Sequence, residues 1–379
     1  MHFGFKNKGT HYDCVPLPYE HLLGMSTTFH KLTVHHINAE TEDCVRLDFV
    51  IPQELTKNFE FHPGQYLTFR ATIGGEEIRR SYSICSQPGD EVLSVAIKKI
   101  SNGKFSTFAN NQLKAGAVLD VMAPTGNFTL PDDLNAAAHY VFYAAGSGIT
   151  PCLSMMGHVL EHSKNAKVSL FYGNRHTDSI IFREKLEGLK NLHLDRFGLY
   201  HILSKEALDS PLFSGRINAE KCATFEQKLN PCQGNSQYFL CGPAEMVFEV
   251  KETLASLGVD SHRIHFELFT TEGLTKAKPV DVATKAAAAV IKMKLDGLEF
   301  EFDYHGNEGS ILDAALKNGA DLPFACKGGV CSTCKAHCDE GEVTMAVNYA
   351  LEPDEVEAGY VLTCQSVPKS SKVYINFDR

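Results

Sequence analysis

Four cysteines near the C-terminus constrain this chain more than any other feature. Four residues separate Cys326 from Cys331, two separate Cys331 from Cys334, and Cys364 ends the run Tyr360-Val-Leu-Thr-Cys364. This is the C-x4-C-x2-C…C spacing of a plant-type 2Fe–2S loop, in which three thiolates from one tight turn and a fourth from further along surround two irons. Gly328 and Gly329 suit such a loop, since backbone without side chains folds close and aims N–H groups at the sulfurs. The alternative is a zinc site through Cys331, Cys334 and Cys338. A structural zinc ribbon wants a second close pair, and Cys338 supplies only a single neighbour. The 4Fe–4S run C-x2-C-x2-C-x3-C-P does not match either, so Cys338 is read as an ordinary cysteine.

Such a loop occupies a small part of 379 residues, a length sufficient for two or three domains. A composition of 44% hydrophobic and 22% charged residues is that of an ordinary globular protein. The net charge of −10 argues against nucleic acid as a partner. No apolar run approaches the length of a membrane span, and Met1–Thr10 lacks an apolar signal core. A cytoplasmic protein is therefore expected, its twelve cysteines serving a metal or packing rather than disulfides.

Residues 1–27 read as an N-terminal extension, and residues 28–132 as the first domain. Val45, Leu47 and Phe49 alternate with polar residues, as Val92, Val95 and Ile97 do less strictly, while Pro63-Gly64, Gly74-Gly75 and Pro88-Gly89-Asp90 mark turns. With no long amphipathic helix before about Ser106, a small antiparallel β-barrel fits best. Arg80-Ser-Tyr-Ser83 lies on one strand, where a guanidinium beside a flat aromatic suits the phosphate tail and ring of a flavin. Gly103-Lys-Phe-Ser106-Thr107 precedes a helix expected to start at Ser106, whose N-terminus offers a phosphate site. Alone, neither stretch separates a flavin site from a surface Arg and a core Tyr.

Residues 133–269 read as a second, α/β domain with a parallel sheet. The buried-type run Tyr140–Ala145, the turn Gly146-Ser-Gly148-Ile-Thr150-Pro151, an amphipathic segment to about His162 and the strand Lys167–Tyr172 make a βαβ unit. A nucleotide pyrophosphate would sit on the N-terminus of that helix. After the second strand, where an acidic residue would select NAD, Gly173-Asn-Arg175 stands instead, and Arg175 is suited to the 2′-phosphate of NADPH, with NADH possible. Tyr238-Phe-Leu-Cys241-Gly242-Pro243 is a strand and tight turn, followed by a helix from Ala244 to about Leu257 and a strand from Ile264 to Leu268. Cys241 at a strand's carboxyl end sits where open α/β sheets bind ligands, although a buried structural thiol accounts for it equally.

Residues 270–289, rich in Thr, Lys and Ala, read as a linker. Residues 290–379 then read as a compact α+β, β-grasp domain: two alternating strands around Asp296-Gly297, a short helix capped by Ser310 and Asp313, and the cysteine loop. The acidic run Glu352, Asp354, Glu355, Glu357 is either a solvated face or a docking surface.

Taken together, Arg80-Ser-Tyr-Ser83, Gly146-Ser-Gly-Ile-Thr-Pro151 and Cys241-Gly-Pro243 resemble the ferredoxin–NADP reductase superfamily. With a plant-type ferredoxin domain at the C-terminus, the order of the blocks is similar to that of oxygenase-associated reductases, most of all those serving phenylacetyl-CoA oxygenase systems. The resemblance runs from about Thr28 to Asp378 and includes Glu76–Cys85, Leu170–Arg175, Ser310–Ala315, Pro323–Cys331 and Asn348–Asp354. It implies FAD on Arg80, Tyr82, Ser83, Ile97, Lys98, Gly103, Ser106 and Thr107, with Phe269 near the ring. It implies a nicotinamide cofactor near Gly146, Gly148, Thr150, Pro151, Arg175, Cys241, Gly242 and Pro243, and working roles for Ser83, Cys241 and Glu267. Since a nicotinamide gives two electrons together and a 2Fe–2S cluster takes them singly, the expected route is NADPH, flavin, cluster, then an external protein acceptor. The resemblance implies that this acceptor is a multisubunit oxygenase such as the di-iron phenylacetyl-CoA epoxidase; the sequence itself offers no helical Glu-x-x-His pair at di-iron spacing, so no oxygen-activating site is expected in this chain. A Rieske-type oxygenase or hybrid-cluster protein as acceptor, FMN in place of FAD, and a zinc-stabilised nucleotide-binding scaffold remain as alternatives.

Overall fold

The computed structural model describes residues 28–135, 137–230, 235–269 and 288–379. Three principal sheets follow one another along it. The first is antiparallel, built from β1 (Phe29–Thr41), β2 (Cys44–Phe49), β3 (Tyr66–Ile73), β4 (Glu76–Ser83), β5 (Leu93–Lys98) and β6 (Val118–Met122) in the order β4-β3-β6-β1-β2-β5. Its ends meet through an Ile84–Val95 bridge, which curls the sheet into the expected barrel. The inward positions are apolar, with Leu32, Val34, Leu47, Phe49, Leu67 and Phe69 fully buried. Helix α1 (Lys104–Asn111) lies against the barrel through Phe105 and Ala109. It begins two residues before the Ser106 start read from sequence, because Gly103, with extended backbone, is the N-cap.

The second sheet is parallel: β7 (His139–Ala145), β8 (Lys167–Asn174), β9 (Phe197–Leu203), β10 (Ser236–Cys241) and β11 (Ile264–Glu267), in the order β11-β10-β7-β8-β9. Helices α2 (Ile149–His162), α3 (Arg183–Leu192), α4 (Ala219–Leu229) and α5 (Ala244–Ser256) cover it. Alternation along β7 divides its side chains between two cores. Tyr140, Phe142 and Ala144 pack with α2 and α3, while Val141 and Tyr143 pack with α4 and α5. A strand buried on both faces must be apolar throughout, which is why this run lacks polar alternation. Each fully buried aromatic contributes about 1.5–3 kcal/mol of transfer free energy.

The third unit carries β12 (Ala289–Leu295), β13 (Leu298–Tyr304), α6 (Ile311–Lys317), β14 (Lys335–Glu340), β15 (Val343–Met345), α7 (Pro353–Glu357), β16 (Tyr360–Leu362), β17 (Ser366–Pro368) and β18 (Lys372–Asn376). Its mixed sheet, β13-β12-β18-β14-β16, wraps α6 in a β-grasp fold, with β15 and β17 as a separate pair. Asp296 and Gly297 both have positive φ, 49° and 76°, the type I′ geometry that matches hairpin twist. The Ser310 hydroxyl accepts from the Asp313 N–H at 3.1 Å and caps α6. Of the segment read as a linker, residues 270–287 lie outside the described residues, as does the 1–27 extension. Ala289 is a correction to that reading: it opens β12, held there by pairing with Tyr304 and by its own burial.

Candidate functional site

The cysteine loop crosses from α6 to β14. Lys327 (φ 51°) and Gly329 (φ 73°) turn it, and the Gly329 carbonyl accepts from Tyr349 N–H at 3.0 Å. Cys331 Sγ donates to Cys326 Sγ at 3.0 Å, and Gly328 N–H approaches Cys326 Sγ at 3.3 Å. With Cys364 and the Val330 N–H also donating, these bonds lower the Cys326 thiol, while the donors Cys331 and Cys364 are raised by the same bonds, as expected of sulfurs close enough to share protons. Cys334 is likewise lowered, chiefly by a bond from Cys364. The Thr363 N–H (3.2 Å) and hydroxyl (3.0 Å) both donate to Cys334 O and tie the third and fourth cysteines together. Cys326, Cys331, Cys334 and Cys364 thus form one connected group of sulfurs, suited in number and chemistry to a two-iron centre. No group of three or more His, Cys, Asp or Glu among the described residues converges on a single metal ion. Cys338 stands apart, its thiol turned to the Glu340 and Gly341 carbonyls at 3.5 and 3.6 Å.

A narrow cleft of about 80 Å³ opens where the three units meet, lined by Tyr66, Arg80, Ser81, Ser83, Glu267, Leu268, Phe269, Cys326, Val330 and Cys331. The barrel, the last strand of the parallel sheet and the cysteine loop therefore share one cavity. Arg80 is exposed and donates to its neighbour's carbonyl, Arg79 O, at 2.7 Å. Tyr82 backs it, packed on Phe69 and Phe105 with ring centroids 6.1 and 5.6 Å away. Ser83 Oγ donates to Glu267 Oε2 at 3.4 Å, linking barrel to sheet. Burial pushes Glu267 up to about 8, which favours the protonated carboxyl beside the cleft. An arginine, two serine hydroxyls and a partly exposed phenylalanine facing such a space fit a flavin's polar edge and flat ring. The other residues assigned to the flavin sit less openly. Ile97 is fully buried, offering only its carbonyl, which accepts from Asn110 Nδ2 at 3.0 Å. Lys98 faces Asp43 at 3.6 Å. Ser106 is 4% exposed and turns its hydroxyl to Gly103 O and Ile100 N, leaving half-buried Thr107 as the more accessible hydroxyl of α1.

At the carboxyl end of the parallel sheet, Gly146–Gly148 form a single 3-10 turn that runs into α2. Gly146 has φ 55° with open space around it, room a phosphate can occupy. Gly148 lies against the β10 turn, where an added Cβ would sit 2.0 Å from Cys241 O. Thr150 donates to Ser147 O at 3.0 Å, and Pro151 is buried in the first turn of α2. Cys241 is fully buried between Ala144 and Glu267 in the sheet, and that burial raises its thiol far above the usual range. Gly242 packs on Met246 and Ala145, and Pro243 caps α5. Arg175 is exposed just beyond β8, next to Lys205, whose N–H donates to the Arg175 carbonyl at 2.9 Å. Glu206, which follows Lys205, is turned onto Thr177 at 2.7 and 2.8 Å.

Sequence reasoning missed Tyr66, Arg79 and Val330. Tyr66 is 3% exposed at the back of the cleft, and its hydroxyl meets Thr333 Oγ1 at 2.9 Å. Val330, inside the cysteine loop, packs into the same core as Val247 and Leu268 of the second unit. Only the apolar residue within an otherwise polar glycine loop hinted at such a contact.

The family models divide the chain in the same way. An oxidoreductase FAD-binding domain matches residues 31–130, an oxidoreductase NAD-binding domain matches 142–252, and a 2Fe–2S iron–sulfur cluster binding domain matches 293–369. The chain is 42% identical to one of the subunits of 1,2-phenylacetyl-CoA epoxidase from Escherichia coli K12, covering 93% of this chain and 98% of that one. It is 31% identical to a glycine betaine monooxygenase reductase subunit of Pseudomonas aeruginosa, over 88% and 92% of the two. Among solved structures, phthalate dioxygenase reductase matches with TM-score 0.53 at 22% identity, over 92% of this chain and 98% of that one. An intact type IV self-sufficient cytochrome P450 monooxygenase matches with TM-score 0.68 at 22% identity, over 92% of this chain and 41% of that one. The chain therefore belongs to the oxygenase reductases of the ferredoxin–NADP reductase superfamily that carry a C-terminal ferredoxin domain, and is an NAD(P)H-dependent oxidoreductase with FAD and a 2Fe–2S cluster.

Proposed function

We propose that this chain is the cytoplasmic reductase of a multisubunit di-iron oxygenase acting on an aryl-acetyl thioester of coenzyme A, and that NADPH is its donor. The observation that carries the electron route is the shared cleft: Cys326 and Cys331 stand in the same wall-to-wall space as Arg80, Ser83 and Phe269. The acceptor rests on 42% identity to the epoxidase subunit, against 31% to the glycine betaine reductase.

Arg80 binds the flavin's phosphates, with Gly103 and Thr107 at the α1 N-terminus completing that site, while Tyr82 and the backbone at Ile97 and Lys98 set the floor. Ser83 orients the ring's polar edge, and Phe269 covers the ring. Gly146, Gly148, Thr150 and Pro151 take the nicotinamide cofactor's pyrophosphate, and Arg175 beside Lys205 takes its 2′-phosphate. Cys241, Gly242 and Pro243 close the sheet end where the nicotinamide must approach. Glu267 holds a proton on its carboxyl next to Ser83 Oγ, ready to exchange as the charge in the cleft changes. Cys326, Cys331, Cys334 and Cys364 hold the irons. When bound, the flavin accepts a hydride and releases electrons singly, which the cluster requires.

The test is a chain ending at Gly273, which lacks the third unit. It should still accept hydride from NADPH and reduce ferricyanide, and it should lose cytochrome c reduction and oxygenase turnover. Full oxygenase turnover by the shortened chain would show that the cluster is not the exit.

A further inference from the structure

The third unit is held against the barrel at both flanks of its cysteine loop, by Arg79 outside the cleft and by Tyr66 at its back. On the approach to Cys326, Arg79 Nη2 donates to Asp321 Oδ1 at 3.0 Å and Nη1 donates to the Leu322 carbonyl at 3.1 Å. The same guanidinium lies 4.4 Å from the Phe324 ring centroid. Between Cys331 and Cys334, Thr333 Oγ1 bonds to the Tyr66 hydroxyl at 2.9 Å. Tyr66 and Arg79 sit on the adjacent strands β3 and β4, so a single edge of the barrel grips both ends of the loop.

The chemistry of Arg79 is that of a contact made to be broken. It is 6% exposed, and a buried cation stripped of its partners is strongly unfavourable. Yet two of its contacts belong to its own unit: Nε donates to Glu77 Oε1 at 2.8 Å, and the Phe29 ring lies at 5.1 Å. If the third unit leaves, Arg79 keeps that pair and also gains water. Its partner across the junction, Asp321, has a side chain 70% exposed and is readily rehydrated. A permanent interface would pair the cation only with groups that cannot leave; here opening breaks the Arg79 and Tyr66 bonds and withdraws the apolar side chain of Val330 from the core it shares with Val247 and Leu268.

We propose that Arg79 and Tyr66 form a reversible latch that fixes the cysteine loop over the flavin cleft for transfer from flavin to cluster, and that lets the third unit go to meet its acceptor. Both are positioning residues for this step. The inference rests on the reading that electrons pass from flavin to cluster within one chain.

The experiment is anaerobic rapid mixing of the full-length holoprotein with NADPH, following flavin and iron–sulfur absorbance separately. Asp321→Lys places a cation against Arg79 from an exposed position, so folding is spared. The expected result is flavin reduction within about two-fold of wild type and cluster reduction slowed about ten-fold, the change that about 1.4 kcal/mol of lost docking makes. Asp321→Glu should restore the rate, Tyr66→Phe should slow cluster reduction while retaining the ring's packing, and small-angle scattering of Asp321→Lys should show a larger radius. Wild-type cluster reduction in Asp321→Lys and Arg79→Met alike, with unchanged scattering, overturns the latch. A wild-type cluster that NADPH never reduces overturns the underlying route instead.

Discussion

Replacing Gly148 by alanine tests the nucleotide turn most sharply. The new Cβ would lie 2.0 Å from Cys241 O, 2.4 Å from Cys241 C and 2.9 Å from Gly242 N, all backbone atoms that cannot rotate away. Ordinary C···O contacts begin near 3.3 Å, so the α2 N-terminus and the β10 turn must part by about 1 Å. Misplacement on that scale costs up to about 100-fold when a reacting geometry is at stake, and overpacking costs about 1–3 kcal/mol of stability. Gly146→Ala is the control. It has a positive φ of 55° but open space around it, so only backbone strain of about 1–2 kcal/mol is expected. The assay is NADPH-dependent ferricyanide reduction together with flavin content and Tm. Gly148→Ala should retain flavin, lower Tm by several degrees and reduce kcat/KM for NADPH by at least about ten-fold, whereas Gly146→Ala should lose less. A Gly148→Ala protein with wild-type kcat/KM would refute the claim that these two turns together form the nucleotide site.

Cys334→Ser should lose iron and keep flavin, whereas Cys338→Ser should keep both, as read by iron assay and absorbance; the reverse pattern would exclude the proposed ligand set. Arg175→Ala removes a charge-assisted bond of roughly 1.5–3 kcal/mol, so KM for NADPH should rise about ten-fold or more with NADH nearly unaffected. Equal use of both donors by wild type would sink that assignment. His139 is buried between Asn230 (2.8 Å) and Ser169 (2.9 Å), and burial lowers it from 6.5 to about 4. The folded chain there binds fewer protons than the unfolded one, so this stability is complete above pH 6.5 and falls as pH drops toward 4, by about 3 kcal/mol. His139→Gln should flatten the loss of urea Cm between pH 7 and 5.

What the sequence showed well was local. The cysteine spacing, the Asp296-Gly297 hairpin, the Ser310 cap and the glycine turn after β7 are set by residues a few positions apart, so period and turn chemistry reveal them. What it hid was made by distant pairs. Tyr66 meets Thr333 across 267 positions, and Arg79 meets Asp321 across 242. Two arginines stand side by side in the sequence, and only the strand's placement turns Arg79 inward and leaves Arg80 at the cleft. The barrel helix was misplaced by two residues because Gly103 looks like loop in sequence but serves as an N-cap in the fold. Glu267 lies in a short strand whose partner register with Cys241 brings it under Ser83, a coincidence of two units that no single stretch records.

The central claim is that a hydride enters through the flavin and that its two electrons leave one at a time through the cluster held at Cys326, Cys331, Cys334 and Cys364, the proton being released from the flavin. Anaerobic rapid mixing of the holoprotein with NADPH, resolved at flavin and iron–sulfur wavelengths and followed by addition of oxygenase, tests it most directly. The account predicts flavin bleaching first, cluster bleaching second, and reoxidation of both when oxygenase is added. Cluster reduction that precedes flavin reduction, or that persists in flavin-free protein, would contradict it.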